Sequence, residues 1–137
     1  MSVWTHVNGS IRIDSLRMIS MGNMVSSKED IKKRAGRIVE YDDENYETTV
    51  PLGSEGSLKY TIWEDPHESS MAAFTLNIFG DLRDYKDREP IIEWIGDITK
   101  DQFIRSGIVE ISIEGSGRWI MHYDIELQSW KIKPVEE

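Results

Sequence analysis

The chain has no cysteine. Disulfides, thiolate nucleophiles, Cys-ligated zinc and iron–sulfur clusters are therefore excluded. No apolar run approaches the roughly 18 residues that a membrane-spanning helix needs. The opening residues Met1-Ser2-Val3-Trp4-Thr5-His6 lack a basic stretch followed by an apolar one, so no signal peptide is expected there. These absences point to a cytoplasmic location with no membrane partner. Histidine is scarce, at three residues, and so is alanine, also at three. Positive charge is short as well: 16 Lys and Arg face 25 Asp and Glu, for a net charge of −9.

What is present favours a sheet. Isoleucine outnumbers leucine 18 to 6. Ala and Leu suit helices because they lose little side-chain freedom there, whereas Ile, Val and aromatic residues suit a pleated, half-buried surface. At 137 residues the chain is the size of one domain and can bury a substantial core. The expected domain spans 1–133, with 134–137 as a tail.

Strict alternation predicts a strand over 3–14. Val3, Thr5, Val7, Ile11 and Ile13 share one face, and Trp4, His6, Asn8, Ser10, Arg12 and Asp14 share the other. Gly9 within it signals a bulge or a close backbone approach. Residues 15–26, with Met18, Met21 and Met24, fit either a short helix or a covering loop. Residues 27–40 read as an amphipathic helix capped by Ser27, with Ile31, Ala35 and Ile38 forming its apolar stripe. Residues 40–49 form an acidic connector. A hairpin is expected from 48–52 and 57–63 around Gly53-Ser54-Glu55-Gly56. Another strand is expected from Met71 to Phe79, ended by Gly80-Asp81.

Residues 90–106 read as helical in two pieces, with Pro90 at N1 and Ile91, Ile95 and Ile98 facing in. Thr99 and Gln102 would cap the second piece, and Gly107 would follow its end. Strands are expected at 109–114, at 118–123 and from Ile125 to Ile132. The pattern predicts an α+β two-layer sandwich: a ferredoxin-like βαββαβ antiparallel sheet with two helices on one face, plus one or more extra C-terminal strands.

The search for chemistry is largely negative. His122 stands two residues before Asp124, so their side chains share a strand face, the minimum for a base with an orienting partner. No nucleophile stands beside them, and a cross-strand surface pair explains both residues. His67 lies in the turn-like Asp65-Pro66-His67-Glu68-Ser69, best explained as a solvated loop. Ser116 lies in a hairpin turn, not a nucleophile elbow. The loop at 53–56 has no Lys-Ser/Thr after it and enters a strand, so it is not a phosphate loop. The acids at 40–47 lack the spacing of a calcium loop. No catalytic residue, metal ligand or cofactor is assigned.

Surfaces say more. Trp4, His6, Trp119, Met121, His122 and Tyr123 are the candidate residues for a sheet face left open by the helices. An apolar open face calls for a partner, a second copy or a ligand. Lys28, Lys32, Lys33, Arg34 and Arg37 make the first helix locally basic, while the rest of the chain carries about −12. That overall field repels phosphate and argues against direct nucleic-acid binding. It suits docking on a basic protein surface, with Asp42, Asp43, Glu44 and Glu47 as candidate interaction acids.

Three functional expectations result. The first is a small acidic, non-catalytic protein-interaction domain, expected to be a homodimer. The second is an acidic inhibitor of the kind viruses and mobile elements encode, in which carboxylates mimic nucleic acid and block a nucleic-acid-processing or defence protein. The third is a small-ligand binder at the sheet face or dimer interface, by fold-level analogy only.

Overall fold

The computed structural model describes residues 2–20, 22–35, 51, 53–64, 73–85 and 87–135. Its strands are β1 (Trp4–Asp14), β2 (Leu16–Ser20), β3 (Asn23–Ser26), β4 (Lys59–Trp63), β5 (Ala73–Arg83), β6 (Ile104–Ile113), β7 (Gly117–Asp124) and β8 (Ser129–Pro134). Helix α1 (Ser27–Ala35) lies between β3 and β4, and α2 (Glu89–Thr99) between β5 and β6. Six strands form one antiparallel sheet in the order β4-β5-β1-β6-β7-β8, and β2 and β3 form a separate hairpin.

Alternation places the core. On β1, Thr5, Val7, Ile11 and Ile13 are buried. The register sets them beside Leu82, Leu76 and Phe74 on β5 and beside Ile113 and Ile111 on β6. The helices close the same core with Ile31 and Ala35 from α1 and Ile91, Trp94, Ile95 and Ile98 from α2. Each such aliphatic side chain stabilises the fold by about 1.5–3 kcal/mol relative to exposure. The two helices also touch directly: the Trp94 indole N–H donates to the Ala35 carbonyl at 3.3 Å.

The fold is α+β, but its plan departs from the simple expectation. The ambiguous segment 15–26 is the β2–β3 hairpin, turned at Gly22, whose φ of 81° suits glycine. This hairpin separates β1 from α1. The cap on α1 is Ser26, whose hydroxyl accepts the Glu29 N–H at 3.4 Å, and not Ser27, which is buried. Strand β5 does not end at Gly80-Asp81. It runs on to Arg83 because Gly80 admits the neighbouring chain: a Cβ there would sit 2.5 Å from the Ser57 carbonyl oxygen.

The second helical piece is absent. After α2 the chain turns at Asp101, with φ of 64°, and the Thr99 hydroxyl donates back to Ile95 O at 2.7 Å. Gly107 then lies within β6, under the ring of Trp130, where a Cβ would approach to 2.6 Å. Beyond β6 the sheet gains both β7 and β8. Pro134 belongs to β8, and the Val135 N–H still donates to Arg118 O at 2.9 Å, so the last strand extends past the expected boundary at 133.

Candidate functional site: the open face of the sheet

Both helices lie over the face that carries Val7 and Ile11, so the alternate residues form the other face. No described helix packs there. Cross-strand register orders its side chains in rows. One row reads Thr61, Asn77, Ser10, Ile108, His122 and Lys131 from β4 to β8; the next reads Lys59, Phe79, Asn8, Glu110, Ile120 and Lys133. Short polar groups are tied across strands. Ser10 Oγ donates to Asn77 Oδ1 at 3.3 Å, Asn77 Nδ2 donates to Thr61 Oγ1 at 3.3 Å, and Arg12 donates to Thr75 Oγ1 at 3.2 Å. Against this polar ground, Ile108 is 55% exposed, Trp63 52% and Phe79 39%. A shallow hollow of about 250 Å³ lies among Asn8, Ser10, Ile108, Glu110 and Ile120.

The expected face residues divide. Trp4, His6 and His122 lie on the open face. Trp119, Met121 and Tyr123 do not. They pair with β6 and β8 at inward positions, Met121 opposite Val109 and Trp119 opposite Ile111. Met121 is buried, and Trp119 and Tyr123 pack against the core. Arg88 lies over the Trp119 ring, and Tyr123 meets Trp130 edge to face at 5.4 Å. The reason is the two-residue period of a strand: residues 119, 121 and 123 cannot share a face with 122.

His122 and Asp124 share a face, yet no described hydrogen bond joins them. Asp124 instead accepts the Glu126 and Leu127 N–H groups at 3.0 and 3.1 Å and pairs with Lys131 at 3.4 Å. The Leu127 bond first, and then Lys131, hold its carboxyl below the ordinary range. Asp124 secures the β7–β8 turn. Asp42, Asp43, Glu44 and Glu47, like His67 and its loop, lie outside the described residues.

One constellation was not expected. His6 on β1 lies between Asp81 of β5 and Glu114 just beyond β6. Its Nδ1 is 2.5 Å from Asp81 Oδ1, and its Nε2 is 3.0 Å from Glu114 Oε2. Glu114 also accepts the Trp4 N–H at 3.0 Å. The bond to Asp81, and next that to Glu114, raises the His6 pKa. The Glu114 carboxyl is lowered, by His6 first and by the Trp4 amide second. Each ring nitrogen thus faces a carboxylate. Asp81 lies within β5, past the Gly80-Asp81 stop that local signals predict.

Elsewhere, an open groove of about 390 Å³ between α1 and β4 is bridged by Lys28 and Glu64 at 3.0 Å. Among the described residues, no group of three His, Asp or Glu side chains is arranged to hold a metal ion. Among them too, no helix is long and apolar enough to cross a membrane. No family model, curated protein or solved structure matches the chain significantly.

Proposed function

We propose that this chain is a non-catalytic protein-interaction module that engages its partner through the open face of the sheet. The observation that carries this reading is the exposure of Ile108, Trp63 and Phe79 on that face. A rigid, hydrogen-bonded sheet presents them without the ordering cost that a flexible loop would add. A mixed face of this kind has the makeup of a non-obligate interface, which is about as apolar as ordinary protein surface. The finer fold reading, a ferredoxin-like core, is supported by the antiparallel order β4-β5-β1-β6 and by the two helices that share its core.

The test uses Ile108→Asp, which changes an exposed side chain and is expected to cost about 1 kcal/mol through the poor strand propensity of Asp, leaving the fold intact. Self-association is measured by light scattering, and heterologous partners by affinity capture with mass spectrometry. Glu93→Lys on α2 serves as a control away from the face. Ile108→Asp is expected to weaken association at least tenfold, while Glu93→Lys leaves it unchanged. Equal association by both variants and the parent chain would remove the face from consideration.

The acidic-inhibitor reading is supported by the net charge of −9 and rests on Asp42, Asp43, Glu44 and Glu47. Charge reversal of those four residues separates the two readings, because it is expected to abolish binding to a basic partner and to leave a face-mediated contact intact.

A further inference from the structure

The His6 bridge has a property that follows from counting donors. Carboxylates accept hydrogen bonds and do not donate. A neutral imidazole carries one N–H, and only the imidazolium carries two. Contacts of 2.5 Å at Nδ1 and 3.0 Å at Nε2, each to a carboxylate oxygen, therefore require the doubly protonated ring. Losing one proton leaves one nitrogen lone pair facing a carboxylate oxygen, and that contact must open.

We propose that His6 is a proton-operated clamp at one end of the open face: as the imidazolium it ties β1 to Asp81 and Glu114, and loss of a single proton, taken from Nε2 at the longer 3.0 Å contact, releases Glu114. Closed, the three groups carry −1; open, they carry −2. Charged groups facing the bridge from the neighbouring strands include Arg83 on β5, held by Glu55 at 2.6 Å and 3.9 Å from Asp84, and Arg118 on β7, which stands in the same row as His6 and Ser112 and pairs with Glu110 of β6 at 3.5 Å. The opening also reaches the backbone, because Glu114 accepts the Trp4 N–H while its own N–H donates to Trp4 O at 3.1 Å. The clamp thus couples proton concentration to the charge of the face and to the fit of its first strand. It does not depend on what the face binds.

The sign follows from the direction of each shift. His6 rises above its ordinary 6.5, so its contribution to stability is complete below pH 6.5 and is lost as pH climbs through the raised value. Glu114 falls below its ordinary 4.5, so its contribution is complete above pH 4.5 and is lost as pH drops through the lowered value. The clamp is fully engaged between those two ordinary values.

The experiment is an NMR titration of the intact chain from pH 5 to 9, following the His6 ring, the Glu114 carboxyl carbon and the Trp4 amide. The three are expected to move together, with one midpoint above 6.5. Asp81→Asn and Glu114→Gln are each expected to lower the His6 midpoint. In urea unfolding, the parent chain is expected to exceed His6→Gln in stability at pH 5.5, with the advantage disappearing above the midpoint. A His6 midpoint at or below 6.5 that neither variant moves would overturn the proposal. So would a His6 titration that Glu114 and Trp4 do not follow.

Discussion

Replacing Gly9 with valine is expected to lower the stability of the protein by about 3 kcal/mol, the upper range for overpacking a well-packed site. Gly9 lies in β1, which has a partner strand on each side. A Cβ at this position would stand 2.5 Å from the Ile108 carbonyl oxygen and 2.7 Å from the Val109 Cα. Both are backbone atoms of β6, so the strain cannot be relieved by a side-chain rotation. It must be relieved by parting the β1–β6 ladder. Urea unfolding checks this: the midpoint should fall while the slope stays constant. Gly96→Ala is the matching control, since nothing lies within 4 Å of a Cβ there and the residue is inside α2. That change is expected to raise stability by about 0.5–1 kcal/mol. A Gly9→Val midpoint equal to that of the parent chain would refute the close approach of β1 and β6.

Truncating Trp94 to alanine is expected to cost about 3–5 kcal/mol. The side chain is 2% exposed and fills the space between the two helices and the sheet. Its indole N–H also satisfies the Ala35 carbonyl near the described end of α1. Trp94→Phe keeps most of the ring and removes the donor, so its expected loss is smaller, about 1–2 kcal/mol. The two variants together separate packing from hydrogen bonding. If Trp94→Ala and Trp94→Phe lost equal stability, the packing account of this residue would fail.

Much of this architecture is written locally. The alternation of β1, the i, i+4, i+7 stripe of Ile91, Ile95 and Ile98, and the Gly115-Ser116-Gly117 turn all depend on neighbours in sequence, and each has its structural counterpart. Gly9 as a point of close approach was legible for the same reason. Register between distant strands is not written locally. Whether Gly80 ends a strand or lets a neighbour pass depends on where residues 57 and 58 lie. Whether Thr99 and Gln102 cap a helix depends on competition: Thr99 Oγ1 donates to Ile95 O and accepts the Trp130 N–H at 3.1 Å, from a strand 31 residues away. The candidate site suffered most from this limit. His6, Asp81 and Glu114 are separated by 75 and 108 residues, so only the pairing of β5, β1 and β6 brings them together. The grouping of Trp119, Met121 and Tyr123 with His122 went wrong for a simpler reason, because an apolar residue on each face of a strand leaves the inward face undecided.

The position of β1 inside the sheet has a consequence for the order of events during synthesis. β1 is made before its partner β6, which lies about a hundred residues downstream. At about 5–20 residues per second, β1 spends roughly 5–20 s without that partner. Pairings so distant in sequence are slow to form, since a long loop must close before any contact is gained. Until β6 emerges, Val7 and Ile13 lack their cross-strand neighbours Ile111 and Ile104, and β1 can pair only with β5. Termination before β6 would leave β1 paired with β5 alone, its other edge open and a natural client for chaperones.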